Sequence, residues 1–132
     1  MFWFLSNIIA IFGSLVILGI AVWLDPDPRG YGTHEQLGLA PCDFMVRHGY
    51  PCPSCGLTTS FANMAELNVA AASRANPAGV LLFLVTLSMP LWFGYALWTR
   101  TDPFRFATHR IGRWVLPAVV LLLVICWIVR TG

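Results

Sequence analysis

Three long apolar segments constrain this sequence more than any other feature, because each approaches the length of a membrane-spanning helix. These segments are residues 2–24, 78–98 and 111–129, and polar residues interrupt them only rarely. A helix needs about 20 apolar residues to cross a hydrocarbon core that is about 30 Å thick. We therefore predict an all-α integral membrane protein with three transmembrane helices, in which residues 1–132 form a single membrane domain.

The polar segment between the first two predicted spans, residues 25–77, is expected to contain short helices. Prolines and a glycine in residues 25–30 end the first helix, because they cannot continue it. One helical turn is expected near residues 43–48. A helix is then expected to begin between Cys52 and Cys55, and another to cover residues 68–75. These helices are too short to span a membrane, so we expect one or two of them to lie at its surface or to enter it shallowly.

Asparagine and proline mark the junction between the polar segment and the second span. Asn68 precedes the second short helix, and Asn76 stands directly before Pro77. Asparagine is a favoured N-cap because its side chain accepts a hydrogen bond from the first helical turn. Proline is tolerated in that turn because the N–H that it lacks would have no helical partner there. We therefore predict that the helix containing the second span begins at Pro77, with Asn76 as its cap.

Sparse charge argues against a nucleic-acid partner and suggests an orientation in the membrane. Charged residues make up 11% of the chain, and the net charge is +2. That charge is too small and too scattered for nucleic-acid binding. Arginine is concentrated in residues 100–113, and short basic loops remain in the cytoplasm. We expect the N-terminus and this loop to be cytoplasmic. The polar segment and the C-terminus would then lie on the extracytoplasmic side of the membrane, which we expect to be a bacterial inner membrane.

Cysteines carry the most unusual chemistry of the sequence. Cys42, Cys52 and Cys55 lie in the polar segment, and Cys126 lies near the end of the third predicted span. With three spans, the polar segment and the C-terminus are on the same side of the membrane. All four cysteines are then able to approach one another.

Three interpretations of the cysteines remain open, and the first is a metal site. Thiolates bind zinc, copper(I) and the iron of iron–sulfur clusters. Cys42, Cys52 and Cys55 would supply three ligands, and zinc is a candidate cofactor. The fourth ligand of such a site would come from one of three residues: Cys126, His48 or His34.

A disulfide and a redox-active dithiol are the other two interpretations. A bond from Cys42 to Cys52 or Cys55 would close a loop of roughly ten residues and contribute about 2–3 kcal/mol. A Cys-x-x-Cys pair at a helix N-terminus also has a lowered first thiol pKa. The alternating strands and helices of a thioredoxin-like domain are missing from the sequence pattern. We find no hydrolase or phosphate-binding motif and assign no catalytic residue.

With Cys52-Pro53-Ser54-Cys55-Gly56-Leu57-Thr58 and the later Asn76-Pro77, the middle of the chain resembles a bacterial membrane family known only as domain of unknown function 2752. The family pattern is Cys-Pro-x-Cys-Gly-x-Thr, usually followed by Arg, with a later Asn-Pro that opens a hydrophobic helix. The matching residues here are Cys52-Pro53-Ser54-Cys55-Gly56-Leu57-Thr58 and Asn76-Pro77. The resemblance covers roughly residues 37–87, and Thr59 stands where the family usually has Arg. It implies that Pro53, Gly56, Thr58, Asn76 and Pro77 shape the motif, and it implies no substrate.

Two functions follow from these observations. The first is a non-enzymatic accessory or scaffold subunit whose extracytoplasmic loop is fixed by a disulfide or a structural metal. Three helices bury little of their own surface, so we expect contacts with the lipid bilayer and with other membrane proteins or a second copy. The alternative is a membrane thiol protein that binds or transfers a metal ion, or that exchanges disulfides through Cys52 and Cys55.

Overall fold

The computed structural model describes residues 2–101 and 112–131, and the regular structure in these residues is entirely helical. The α-helices are α1 (Phe2–Trp23), α2 (Asp43–His48), α3 (Leu57–Ala65), α4 (Val69–Ala75), α5 (Pro77–Thr99) and α6 (Gly112–Thr131). A 3₁₀ helix, which the sequence did not predict, covers Thr33–Leu37. The predicted all-α class is confirmed.

Two helices of the described chain, α1 and α5, are long and apolar enough to cross a membrane. Only 17% and 11% of their most apolar windows are buried, whereas a core helix of a soluble domain would be largely covered. This count differs from the three predicted spans. The third, residues 111–129, corresponds to α6, but many of its side chains lie outside the described part of the structure. Its crossing of a membrane therefore stays a prediction.

Helices α1 and α5 pack against each other. They run in opposite directions, because the start of α1 meets the end of α5 and the end of α1 meets the start of α5. At one end, the indole N–H of Trp3 donates a hydrogen bond to the carbonyl oxygen of Thr101, at 3.1 Å. The buried face of α1 consists of Asn7, Ser14 and Ala21, which recur every seventh residue. Small and polar residues in such a seam let two membrane helices approach closely.

The short helices α3 and α4 pack on the end of this pair where α1 finishes and α5 starts. Ala21 of α1, Met64 of α3, Ala72 of α4 and Phe83 of α5 form one buried apolar cluster. Phe61 joins it, with its ring edge-to-face against Phe83 at 5.4 Å between centroids. The polar segment is therefore anchored to both long helices.

Both predicted asparagine caps are confirmed. The side chain of Asn68 accepts a hydrogen bond from the N–H of Ala71, and that of Asn76 accepts one from the N–H of Ala78, each at 3.1 Å. Pro77 is the first residue of α5, as predicted. The helical turn predicted near residues 43–48 is α2.

The predicted start of α3 is wrong. The helix begins at Leu57, because Gly56 directly before it has a left-handed backbone with φ of 84°. Cys52 to Cys55 form a turn instead, in which the N–H of Cys55 donates to the carbonyl oxygen of Cys52 at 3.0 Å. Cys52 therefore lies outside the helix, in the turn that precedes it.

Candidate functional site

Three cysteine sulfurs converge beside the start of α3. The Sγ atoms of Cys42, Cys52 and Cys55 all lie within 4.8 Å of one another. Those of Cys52 and Cys55 are 3.0 Å apart. Cys42 immediately precedes α2, so the chain passes through α2 and folds back to bring its sulfur to the other two. The side chain of Cys126, which the sequence placed with this group, lies outside the described residues.

Gly56 fixes the position of the cysteine turn against the rest of the fold. A Cβ atom at this residue would lie 2.5 Å from the carbonyl oxygen of Ala75 and 2.7 Å from that of Gly30. No side chain fits such a space, and a left-handed φ disfavours any residue with a Cβ. The turn therefore approaches the end of α4 more closely than any other residue type would allow.

Asn76 connects the cysteine turn to the start of α5. Its side-chain amide donates hydrogen bonds to the carbonyl oxygens of Pro53 at 3.3 Å and Cys55 at 3.1 Å. Its backbone carbonyl accepts a hydrogen bond from the hydroxyl of Ser60 at 3.1 Å. Asn76 is buried, so it holds the turn and caps the long helix in a site that excludes water.

A buried pair of threonines joins the 3₁₀ helix to α3. The hydroxyl oxygens of Thr33 and Thr59 are 2.8 Å apart, and the Thr33 hydroxyl also accepts a hydrogen bond from the N–H of Asp27 at 2.9 Å. Thr59 occupies the position where the family pattern usually carries arginine. In this chain residue 59 is buried and its hydroxyl is paired with that of Thr33, so the position carries no charge.

A charged network lies at the edge of the same region. Arg29 pairs with Asp27 at 2.7 Å and with Glu35 at 3.2 Å. The hydrogen bond from Arg29 lowers the pKa of Asp27. Because both acids face Arg29, this guanidinium is already neutralised by carboxylates and offers little free positive charge to an anion.

A cleft of about 630 Å³ opens beside the sulfurs. The three cysteines line it, and so do His34 of the 3₁₀ helix and Met45 of α2. His48, the other histidine that the sequence singled out, packs against the rings of Phe44 at 4.6 Å and Tyr50 at 5.8 Å between centroids. Among the described residues the close group of ligand atoms consists of the three sulfurs, and neither histidine is part of it.

The pKa values of the two cysteines in the turn, Cys52 and Cys55, are shifted in opposite directions. Burial alone would raise the pKa of Cys52, but hydrogen bonds from Ser54, Cys55 and Cys42 outweigh it and lower the pKa to about 7. The Sγ of Cys52 is 3.2 Å from the Ser54 hydroxyl. Burial, together with the hydrogen bonds to Cys52 and Cys42, raises the pKa of Cys55 to about 12. At neutral pH the group therefore contains one partly ionised sulfur, at Cys52, beside a protonated one.

Leu57 and Thr58 separate the cysteine cleft from a second, apolar cavity. Both residues line the cleft, and both also line a groove of about 340 Å³ between α1, α3 and α5. The other residues of that groove are Ile17, Ile20, Ala21, Leu24, Phe61 and Leu82. Leu57 and Thr58 thus form a wall shared by the thiol site and an apolar surface.

The C-terminal end of α6 contacts the chain just before Cys52. The indole N–H of Trp127 donates a hydrogen bond to the carbonyl oxygen of Pro51 at 2.8 Å. Pro51 directly precedes Cys52, so this bond places the last turns of α6 on the side of the thiol site. Sequence reasoning missed this contact and the Thr33–Thr59 pair, because both join residues that are far apart in the chain.

Comparison with known proteins agrees with the resemblance that the sequence indicated. The model of the family described as protein of unknown function (DUF2752) matches residues 42–89. No curated protein and no solved structure matches the chain. The family match begins at Cys42 and includes the cysteine turn and the Asn76–Pro77 junction. The middle of this chain is therefore similar to DUF2752, over the segment that contains all three converging cysteines.

Proposed function

We propose that this is a non-enzymatic accessory or scaffold protein of the membrane whose surface loop is fixed by a structural metal ion. The ion would be bound by Cys42, Cys52 and Cys55. The mutual approach of the three sulfurs within 4.8 Å carries this proposal. Sulfurs that share one tetrahedral zinc ion at about 2.3 Å lie about 3.8 Å from one another. Small side-chain rotations therefore suffice to place all three on one ion.

A metal ion would attach α2 to the rest of the fold more firmly than its own apolar contacts do. All six residues of α2 are described, and none of them is buried. Its attachment to the fold therefore depends on few apolar contacts. An ion that joins Cys42 to Cys52 and Cys55 would tie α2 to the turn before α3. The free energy of metal binding then becomes free energy of folding for this loop.

The membrane placement in this proposal follows from the apolar surfaces of α1 and α5 and from the arginines of residues 100–113. The N-terminus and this loop would be cytoplasmic, and the cysteine site and the C-terminus would face the other side. The Trp3–Thr101 bond supports a common side for the N-terminus and the end of α5. The Trp127–Pro51 bond supports a common side for the cysteine site and the end of α6. Exposed apolar side chains along both helices would contact lipid and other membrane proteins or a second copy.

The test is elemental analysis of the detergent-solubilised full chain after anaerobic purification, with thiols counted in the same sample under denaturation. We expect about one metal ion per chain. It should be lost in Cys42→Ser, Cys52→Ser and Cys55→Ser and retained in Ser54→Ala, the exposed neighbour. If no metal is found and two thiols are missing, a disulfide and not an ion fixes the loop. If no metal is found and every thiol is present, both the metal site and the disulfide are overturned. Cys126→Ser, His34→Ala and His48→Ala would identify a fourth ligand.

A second candidate function, disulfide exchange, is favoured by the unequal acidities of Cys52 and Cys55. Cys52 would attack a partner disulfide as a thiolate, which forms a mixed disulfide and releases one partner thiolate. Cys55, with its sulfur 3.0 Å away, would then lose its proton to the solvent and attack the Cys52 sulfur, which closes a Cys52–Cys55 disulfide and releases the second partner thiolate. In that case Cys55→Ser should accumulate mixed disulfides on Cys52, while Cys52→Ser should accumulate none. If neither variant traps a partner and both lose metal, the metal function is favoured over exchange.

A further inference from the structure

We infer that the ion of this site is copper(I), and that the thioether of Met45 serves as an additional soft donor. The inference rests on the proposed metal site and concerns the identity of its ion. It follows from the kinds of donor atoms around the cleft. Zinc, which the sequence suggested, and copper(I) both bind thiolates, but they differ in the ligands that complete the site.

The close donor group contains sulfur and no other element. Among the described histidine, cysteine, aspartate and glutamate side chains, the three cysteine sulfurs form the group of mutually close ligand atoms. Structural zinc sites almost always have four protein ligands in a tetrahedron. Thiolate and thioether ligands are soft donors that suit copper(I). Copper(I) is also stable with three sulfur ligands, whereas a structural zinc ion almost always has a fourth protein ligand.

Met45 offers a further soft donor in the cleft that the three cysteines line. It is the third residue of α2 and stands three residues after Cys42, which directly precedes the helix. It is half-buried and lines the same cleft as the three cysteines. Since no residue of α2, all of which are described, is buried, Met45 does not fill a closed core. Met45 therefore lines the sulfur-lined cleft without being part of a buried core, and its thioether is available as a donor there.

His34 is the competing donor, because it lines the cleft too. An imidazole ligand would favour zinc and give a site with three sulfurs and one nitrogen. The two alternatives therefore differ in an observable way: copper(I) with sulfur alone, or zinc with a nitrogen from His34.

The experiment uses the reduced, detergent-solubilised full chain, loaded anaerobically with copper(I) in one sample and zinc in another. Copper(I) affinity is measured by competition with bicinchoninate, zinc affinity with a chromophoric zinc chelator, and the ligand atoms by X-ray absorption. We expect a sulfur-only shell around copper. We also expect the dissociation constant for copper(I) to rise by at least about tenfold in Met45→Leu. Met89→Leu, on α5 away from the cleft, is the matched control and should leave it unchanged.

Each alternative result has a definite meaning. A nitrogen in the metal shell that disappears in His34→Ala, together with zinc binding that outcompetes copper(I), would overturn the copper assignment and leave the metal site standing. A copper(I) affinity that is the same in Met45→Leu and in the wild type would overturn the role of Met45. If the protein took up neither ion, the metal site itself would be rejected and not only the identity of its ion.

Discussion

The side-chain amide of Asn76 donates a hydrogen bond to the carbonyl oxygen of Cys55 at 3.1 Å. The oxygen of the same side chain accepts a hydrogen bond from Ala78 in the first turn of α5. One buried residue therefore sets the backbone of the thiol site relative to the beginning of a long apolar helix. The Asn-Pro pair of the family pattern and its Cys-Pro-x-Cys pair are thus parts of one structural unit.

Replacing Asn76 with alanine should damage both parts of this unit. We expect Asn76→Ala to lower the free energy of unfolding by about 2–3 kcal/mol, because it removes a helix cap and leaves buried carbonyl oxygens without donors. Asn68→Ala is the control. It removes an exposed cap and should cost about 1 kcal/mol. Thermal unfolding in detergent measures the difference, and equal shifts for both variants would contradict the bridging role.

Gly56 should tolerate no side chain, whereas another left-handed glycine should accept one at a modest cost. Gly38 has a φ of 75° and open space around its Cβ position, but Gly56 faces two carbonyl oxygens within 2.7 Å. We expect Gly38→Ala to cost about 1–2 kcal/mol from backbone strain alone. Gly56→Ala should reduce the yield of folded protein severely, and Ser54→Ala should have little effect. A normal yield and melting temperature for Gly56→Ala would show that the turn readily shifts away from α4.

The threonine pair gives a prediction about the position where this chain departs from the family pattern. Thr59→Val keeps the shape but leaves the Thr33 hydroxyl short of a partner, so we expect a loss of about 1–2 kcal/mol. Thr86→Val is the control, because the hydroxyl of Thr86 bonds within its own helix. Thr59→Arg should be worse than Thr59→Val, since residue 59 is 1% exposed. Better stability with arginine would show that the pocket reorganises to accept the usual family residue.

The lowered pKa of Cys52 predicts how its reactivity depends on pH in the reduced, metal-free protein. Only the thiolate is nucleophilic, so alkylation of Cys52 should be slow in acid and should rise to half its maximal rate near the pKa of about 7. Cys55, with a pKa raised to about 12, should stay unmodified through neutral pH. Ser54→Ala should move the Cys52 midpoint upward, because it removes a donor to the thiolate. Mass spectrometry of alkylated peptides measures both residues, and faster labelling of Cys55 would contradict the assignment.

The proposed orientation is tested with two introduced cysteines. In intact cells, an impermeant maleimide should label Leu39→Cys, which replaces an exposed residue three positions before Cys42. It should label Thr101→Cys, just after α5, only after lysis. Site-specific mass spectrometry distinguishes these labels from those on native cysteines. The reverse pattern would invert the protein in the membrane, and labelling of both residues would show that α5 does not cross it.

Local sequence rules predicted the elements of this fold better than their assembly. Asn68 and Asn76 were identified as caps because capping depends on residues within one turn. The start of α3 was misplaced, because Pro53 is acceptable in a first helical turn and the sequence does not show that Gly56 is pressed against Ala75. The Thr33–Thr59 and Trp127–Pro51 bonds depend on tertiary packing, so no local pattern reveals them. The close approach of Cys42 to Cys52 and Cys55 depends likewise on how the loop folds back.

Because Leu57 and Thr58 form a wall shared by the cleft and the groove, the thiol site would lie between water and lipid. On its cleft side the sulfurs are reached through water, and on its other side the groove between α1, α3 and α5 would open toward hydrocarbon in the proposed membrane orientation. Charged reagents would then reach the cysteines by the aqueous route alone. An uncharged, lipid-soluble oxidant dissolved in the bilayer would instead meet the packing of Leu57 and Thr58, which line both cavities. The oxidation state of the sulfurs would therefore depend on the integrity of that packing as well as on the surrounding solution.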